Sequence, residues 1–357
     1  TLHKTQQLPK STCPMKLLRV ILFVGCFCCC CCFVALPALF ISLIVKASTA
    51  NRCTTNTVMK FGDVRNFTYS MDNKSIRELK FIGFGDYEIL NSGSETTLRV
   101  MELRRSTTEN GLKSIVTSLA AKHSKLTIGT NIKHLRDDTC YSSLKRVYIP
   151  SNLASLLHLH FETSGNIHHL LDLNTRYASL SYTTTSGRVF LKHVETKDEL
   201  KVHAKEVSLI NIQSEDEISV KASQSILYNQ LQASAVDFDA GSTGTITGEY
   251  IISTKVFAES RNGLQSHSHI QGTRDIELRS HSGKIIVDLY SQEFAGNFTL
   301  SSAHSVKFQD QHTDTSVSVH IDYQSTKKQI GMIANELLQR SKLHATAQTG
   351  TIQVTFH

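Results

Sequence analysis

The chain has 357 residues and a net charge of +7, a balance that first suggests a nucleic-acid-binding protein. Five basic side chains lie at or before residue 46 with no acid among them, and the remaining 311 residues carry 33 basic and 31 acidic side chains. A nearly neutral body lacks the basic face that phosphate recognition requires, so we exclude nucleic acid as a partner.

Residues 20–45 form a run of 26 uncharged residues. As a helix this run would be roughly 39 Å long, which exceeds the ~30 Å of a bilayer's hydrocarbon core. The apolar region of a signal peptide is usually only about 7–15 residues. We therefore predict a single-pass membrane protein. The small residues at 48–50 leave cleavage by a signal peptidase as the alternative.

The tail before this run carries Lys and Arg but no acids. We therefore predict a cytosolic tail at residues 1–16, a transmembrane helix at 17–45 and an extracellular or luminal C-terminal domain. Residues 46–150 are expected to form a membrane-proximal region that caps the domain or supplies its first degenerate rungs. Residues 151–357 are the repetitive domain. Glycosylation sequons at Asn66, Asn73 and Asn297 agree with this orientation.

Six of the nine cysteines fall within the apolar run: Cys26, Cys28, Cys29, Cys30, Cys31 and Cys32. Metal chelation by such close neighbours would require an unwound helix, which lipid does not tolerate. Two interpretations remain open. The cysteines are S-acylated near the cytosolic boundary, or they are small apolar residues accommodated in lipid.

Cys53 and Cys140 are the only cysteines in the large domain. In an oxidising compartment we predict that they form one intramolecular disulfide. On the loop-entropy model, closing so long a loop contributes about 4–5 kcal/mol. The alternative is that Cys53 pairs with its copy in a second chain.

From about residue 160 onward the phrase Ser/Thr-Gly-x-Ile/Val recurs. Its glycines are Gly165, Gly187, Gly244, Gly283 and Gly350. They are 22, 57, 39 and 67 residues apart, close to one, three, two and three multiples of about 19–22 residues. A period in this range indicates a stacked repeat architecture, with degenerate copies at the missing multiples. We expect each glycine to adopt a positive φ at a corner and the next Ile or Val to point inward.

Each phrase leads into a short segment that alternates apolar and polar residues, which predicts strands joined by tight turns. One such rung buries too little apolar surface alone, whereas stacked rungs form a continuous core. We therefore predict an all-β domain built as a parallel β-solenoid, with an antiparallel β-sandwich as the alternative. Residues 111–123 and 329–345 have apolar residues at helix-like spacing and are open to a helix or a strand.

The recurring phrases behind an apolar anchor resemble the "putative adhesin" family of β-solenoid proteins from bacteria and fungi. The resemblance covers about residues 160–357 and rests on a short, degenerate motif. It implies a right-handed parallel β-solenoid-like domain displayed at a surface. The family supplies no catalytic or ligand-binding residues to place on this chain, and a shared fold does not establish a function.

Seventeen histidines raise the question of a metal site. His158 and His160, and likewise His267 and His269, would lie on one face of a strand, whereas His168 and His169 would face opposite sides. A zinc site needs three or four convergent ligands, and no acid or cysteine cluster accompanies these pairs. We therefore predict solvated surface histidines and no metal.

A polysaccharide-cleaving enzyme would need paired carboxylates on one face. Asp237, Asp239 and Asp288 are the candidates, but their spacing does not bring them together. We therefore predict no catalytic residues and no cofactor, and a membrane-anchored, adhesin-like protein that binds an extracellular glycan or protein or displays a surface. A polysaccharide-acting enzyme and a passive stalk are the alternatives.

Overall fold

A computed structural model describes residues 58–71, 76–92, 96–133, 139–335, 338 and 340–357. These residues form 23 strands, one short α-helix, α1 (Glu109–Ser114), and one 3-10 turn (Ala154–Leu156), so the predicted all-β class is confirmed. The strands are β1 (Phe61–Ser70), β2 (Glu78–Gly83), β3 (Asp86–Asn91), β4 (Thr97–Ser106), β5 (Ile115–Lys122), β6 (Lys125–Ile132), β7 (Tyr141–Ile149), β8 (His158–Thr163), β9 (Ile167–Tyr177), β10 (Ser179–Thr184), β11 (Arg188–Thr196), β12 (Glu199–Ser214), β13 (Glu217–Asp239), β14 (Thr245–Ser260), β15 (Gln265–Gln271), β16 (Asp275–Ser280), β17 (Ile285–Leu289), β18 (Ala295–Ser302), β19 (Ser305–Asp310), β20 (Ser318–Gln324), β21 (Lys328–Ala334), β22 (Arg340–Ala347) and β23 (Thr351–Phe356).

Most strands pair in parallel with the strand one repeat away. In what we call the first ladder, β8 pairs with β10, β10 with the start of β12, and β12 with the start of β13. The end of β14 continues this ladder through β16, β22 and β18. In the second ladder, β9, β11, β12, β13, β14, β15, β17, β23 and β19 follow one another. We call one pass of the chain through both ladders a rung.

The core consists of the inward residues of successive rungs, which meet in register. Leu180 pairs with Leu159 on one side and with Leu200 on the other, and all three are buried. Aromatic rings line up in the same way, because the centroids of Phe161 and Phe81 lie 4.5 Å apart in a stacked arrangement. In-register stacking therefore buries like side chains against one another at the strand spacing of about 4.8 Å.

The expected inward position is confirmed, but the expected reason for the glycine is wrong. Ile167, Val189, Ile246, Ile285 and Ile352 are all buried. The phrase glycines are absent from the positive-φ residues, which instead include glycines elsewhere in the chain.

The phrase glycines are required by close approach between rungs. A Cβ on Gly187 would lie 2.0 Å from the carbonyl oxygen of Gly165, and one on Gly283 would lie 1.9 Å from that of Gly263. Gly263 occupies the missing multiple between Gly244 and Gly283, although Asn rather than Ser or Thr precedes it. The backbones pack so closely at this corner that no side chain fits.

Both ends of the stack depart from the sequence order. β22 lies between β16 and β18, and β23 lies between β17 and β19. A Cβ on Gly350 would therefore meet Gly283 directly, at 1.9 Å from its carbonyl oxygen, so the expected three-multiple gap between these glycines is wrong. At the other end, β2 lies between β6 and β8, and β3 lies between β7 and β9.

Antiparallel strands cover the two outermost rungs, so the sheet is mixed. β5 pairs with β6, and β4 with both β7 and β1. At the opposite end β21 pairs with β18 and with β20. Strands of this kind protect the ladders from continued pairing at their ends. Of the two segments open to a helix or a strand, 111–123 and 329–345, residues 111–114 belong to α1, and strands β5, β21 and β22 account for most of the rest, because pairing with a neighbouring strand overrides local spacing.

The predicted membrane localisation is corrected by the structure. Among the described residues no helix is long and apolar enough to cross a bilayer. The six residues of α1 span only about 9 Å, far short of the ~30 Å that a crossing requires. The run at 20–45 lies outside the described residues, as do Cys26, Cys28, Cys29, Cys30, Cys31 and Cys32.

The remaining predicted modification sites stay predictions. Asn66 on β1 and Asn297 on β18 are exposed, and Asn73 lies outside the described residues. Cys140 immediately precedes β7 and is disulfide-bonded. Cys53 lies outside the described residues, so its pairing with Cys140 remains untested.

Replacing a corner glycine should weaken the stack. We expect Gly263→Ala to lower the free energy of unfolding by about 1–3 kcal/mol, the usual cost of overpacking. The reason is that its Cβ would lie 1.7 Å from the carbonyl oxygen of Gly244. Urea denaturation followed by circular dichroism measures the change. Gly62→Ala on β1 is the control, because its Cβ would lie 3.6 Å from its nearest neighbour and should cost less than about 0.5 kcal/mol. Equal stabilities of the two variants would contradict the close-approach argument.

Candidate binding surface

An open groove of about 510 Å³ runs across the second ladder; we call it the side groove. Five consecutive strands of this ladder, β9 and β11 to β14, together with the residue after β15, line it at the point where each rung turns back to the first ladder. Five strand spacings make it about 24 Å long. Its lining residues are Arg176, Glu195, Thr196, Gln213, Ser214, Glu215, Gln232, Ala233, Ser234, Ile252, Ser253, Thr254 and Gly272.

The floor of the side groove is one row of outward side chains in direct register. Glu195 pairs with Gln213, Gln213 with Gln232, and Gln232 with Ile252. Ile252 is 46% exposed and supplies an apolar contact among the amides. The row results from the alternation of β-strands, because the residues on either side of each member point into the core.

Several hydrogen-bonding groups in the side groove have no partner among the described residues. The hydroxyl of Thr196 is buried and unpaired. The amides of Gln213 and Gln232 make no side-chain hydrogen bond there either, whereas Ser234 and Ser253 are satisfied by backbone carbonyls of their own and neighbouring rungs. The unpaired amides face the groove and are the groups that a polar ligand would engage, whereas the Thr196 hydroxyl lies beneath the floor.

A column of stacked rings stands beside the groove. The rings of Tyr250 and His269 lie 4.3 Å apart, those of His269 and Tyr290 lie 4.0 Å apart, and Tyr290 and His357 lie 5.0 Å apart. Tyr250 is 43% exposed. Nδ1 of His269 lies 3.1 Å from Oε1 of Glu293, which fixes the imidazole in the column.

The ring column exists because the chain bends outward at the same point of successive rungs. His193, Asn211, Gln230, Tyr250 and His269 all have φ between 52° and 61°. A left-handed residue breaks the in-and-out alternation, as a β-bulge does, and turns the side chain out at the corner. For this reason His269 lies outside while His267 lies inside, so the prediction that both share one face is wrong.

A second groove of about 820 Å³ lies along the first ladder and has charged walls. It contains Glu259, Glu277 and Arg279, and the Arg279 guanidinium is hydrogen-bonded to Glu277. Asp239 pairs in register with Glu259 at its margin. Burial, together with the charges of Asp239 and Glu259, raises the pKa of the nearby Asp237 carboxyl, against the opposing effect of Lys221.

The three aspartates singled out from the sequence do not share a site. Asp237 and Asp239 belong to the first ladder, where they pair with Phe257 and Glu259. Asp288 belongs to the second ladder, where it pairs with Ser268 and Thr355 and lies 3.8 Å from Nε2 of His357. Among the described residues no three His, Cys, Asp or Glu side chains are grouped as a metal site would require.

The expectation of solvated histidines is wrong for two of them. His169 is fully buried, with Nδ1 at 2.5 Å from the Tyr182 hydroxyl and Nε2 at 3.1 Å from that of Tyr177. His267 is also buried, with Nδ1 at 2.8 Å from the Tyr228 hydroxyl. Burial lowers the pKa of His169 to about 3 and that of His267 to about 4, so both are neutral in the core.

Sequence reasoning missed the side groove. Gln213 and Gln232 are 19 residues apart, one repeat, and this recurrence was the available signal. It could not have shown that the two amides lack partners, because that depends on the neighbouring rungs.

No protein-family model matches the chain, and no curated protein matches it either. Solved bacterial structures show a distant likeness. A "putative adhesin" from Parabacteroides merdae is 10% identical over 82% of this chain and 96% of its own, with a TM-score of 0.41. A "putative lipid binding protein" from Parabacteroides distasonis is 13% identical over 83% of this chain and 97% of its own, with a TM-score of 0.43. A "putative adhesin" from Bacteroides fragilis is 12% identical over 84% of this chain and 98% of its own, with a TM-score of 0.28. Scores and identities this low carry no argument about function.

The buried histidines should make the protein acid-sensitive. Their folded-state pKa values lie below the unfolded value of about 6.5, so the unfolded chain binds protons first and stability falls as the pH drops from about 6.5 toward 4. Each histidine should contribute about 1.4 kcal/mol per pH unit within this window. His169→Gln, which keeps a polar side chain but cannot titrate, should reduce the slope. Urea midpoints at pH 7, 6 and 5 measure it, with the exposed His168→Gln as control. An unchanged slope in His169→Gln would contradict the assignment.

Proposed function

We propose that this chain is a non-catalytic, adhesin-like binding protein, a β-solenoid-like stack whose side groove holds an extended, uncharged polar polymer such as a glycan chain. The observation that carries the proposal is the outward row of Glu195, Gln213, Gln232 and Ile252, in which the two amides have no partner among the described residues. Groups repeated at the strand spacing suit a ligand that is itself repetitive.

The electrostatics of the groove favour an uncharged ligand. Arg176 is paired with Glu215, so these two charges neutralise each other, and Glu195, next to Arg176 in the register, is the one unbalanced charge in the lining. The central lining residues are amides, hydroxyls and one exposed isoleucine. Sugars offer the same combination of hydroxyl groups and apolar faces, and amide side chains both donate and accept hydrogen bonds.

The stacked rings support the same ligand class. Tyr250 is two residues from Ile252, and both are exposed beside the groove. Tyr and His present an apolar body and a polar edge, which suits contact with a sugar ring. The stack keeps the rings fixed before binding, so little conformational entropy is lost when a ligand arrives.

The non-catalytic part of the proposal rests on the placement of the acids. Cleavage of a glycosidic bond needs two carboxyl groups that face each other across the bond. The side groove is lined by Glu195 and Glu215, and Glu215 is engaged by Arg176. A binding role therefore fits the groove better than hydrolysis, because binding does not need two carboxyl groups that face each other.

Binding of oligosaccharides to the purified full-length chain tests the proposal. We expect one of the cello-, chito- or manno-oligosaccharide series to bind by calorimetry, with an affinity that rises with length and levels off once the oligomer exceeds the groove. Gln213→Ala combined with Gln232→Ala should weaken binding about 10-fold or more, the equivalent of one lost hydrogen bond or more.

Gln353→Ala is the matched control, because Gln353 lies on β23 of the second ladder outside the groove-lining residues. It should bind like the unmodified protein. The proposal fails if no series binds, or if the groove variant binds as tightly as the control. If shorter oligosaccharides are released during the measurement, the chain hydrolyses its ligand, and the non-catalytic part of the proposal is wrong.

A further inference from the structure

A charged pair is completely buried near the N-terminal end of the stack. Glu102 on β4 and Lys145 on β7 pair in register across antiparallel strands, and both side chains are 0% exposed. Nζ of Lys145 lies 3.7 Å from Oε1 of Glu102, which is longer than a normal hydrogen bond. The two ions are therefore neighbours without satisfying each other directly.

The Lys145 amine is held by neutral groups. Its Nζ donates to the carbonyl oxygen of Phe84 at 2.8 Å and to Oγ of Ser143 at 2.9 Å. The ring centroid of Tyr87 lies 4.8 Å away, and the hydroxyl of Tyr87 is buried without a partner. Burial lowers the pKa of Lys145 to about 8, although Glu102 acts in the opposite direction. A neutral, nucleophilic amine is thus accessible near neutral pH.

The Glu102 carboxyl is surrounded by hydroxyl groups. Ser143 Oγ donates to its Oε1 at 2.9 Å, and Thr117 Oγ1 donates to its Oε2 at 2.5 Å. Ser143 therefore touches both partners, since its oxygen accepts from Lys145 and its proton points to Glu102. This geometry gives a direct path for proton transfer from the ammonium to the carboxylate.

Burying both ions is expensive. Each charge taken out of water costs several kcal/mol, and the mutual attraction repays this cost only when the contact is good. An amide would remove both charges while leaving an oxygen to accept from the surrounding hydroxyl groups. The two groups are held side by side in a fully buried site, a situation in which effective concentrations are very high.

We propose that Glu102 and Lys145 become joined by an amide bond between their side chains. Ser143 passes a proton from the Lys145 ammonium to the Glu102 carboxylate. Nζ then forms a bond to Cδ, the bond from Cδ to one carboxyl oxygen breaks, and that oxygen leaves as water with two of the former ammonium protons. No oxidant or cofactor is required, and the net charge does not change.

The bond would tie the cover strand β4 to β7, the outermost strand of the stack. β4 pairs with the edge strand β1 and with β7, whereas β7 pairs with β3 in the stack. The neighbouring Arg104 keeps its own partners, the carboxylate of Asp63 and the carbonyl of Ile115. The cross-link thus removes the charges of Glu102 and Lys145 together and does not take a partner away from Arg104.

The mass of the intact, reduced full-length chain tests the proposal. We expect it to be lower than the sequence mass by one water molecule. Trypsin should release a branched peptide that joins residues 100–104 to residues 137–146, because the modified Lys145 resists cleavage. A mass equal to that of the sequence overturns the proposal. So does a water loss that maps to any other residues.

Variants separate the cross-link from an ordinary ion pair. Lys145→Arg keeps the charge and should have the full sequence mass, and Glu102→Gln should form the same branched peptide with loss of ammonia instead of water. Ser143→Ala should lower the cross-linked fraction measured soon after synthesis. Glu78 and Lys125 are the internal control, because this cross-strand pair is about 40% exposed on each side and should yield only unlinked peptides. A branched peptide at that pair too would show non-specific condensation and overturn the assignment.

Discussion

The close stacking of one rung on the next is the constraint on which the rest of this molecule depends. At the corner, the Cα of Gly187 lies against the carbonyl of Gly165, and Gly263 packs against Gly244 in the same way. The approach keeps successive strands in register, and register aligns Leu159, Leu180 and Leu200 in one buried row. Since side chains alternate along a strand, the same register also arranges the outward residues in rows.

Polar groups inside such a stack must find partners within their own rung or the next one. His169 and His267 do so with tyrosine hydroxyl groups and remain neutral. Glu102 and Lys145 lie where the parallel stack meets its antiparallel cover, and there the neighbours are hydroxyl groups and a backbone carbonyl. The two histidines avoid the cost of a buried charge because they are neutral. Glu102 and Lys145 instead bury two charges, and removing both charges would be favourable.

The surface follows from the same geometry. A row of outward residues becomes a groove where the rungs turn, and its chemistry is set by which residue each rung places there. Gln213 and Gln232 make the centre of the side groove polar and uncharged, whereas Glu259 and Arg279 charge the walls of the second groove. The antiparallel strands at both ends keep the ladders from pairing further, so both grooves lie on the sides of the stack.

The sequence by itself determined the all-β class, the repeat of about 20 residues and the inward position of residues such as Val189, because alternation and turn chemistry act over a few residues. Only the tertiary structure decided that Gly350 meets Gly283, that His169 is buried and that Lys145 faces Glu102. These facts depend on which distant strands pair, and pairing between strands 40 to 70 residues apart is chosen by packing of the whole stack. The alternation of apolar and polar residues indicates which face of a strand is buried, but it does not indicate which distant strand packs against that face.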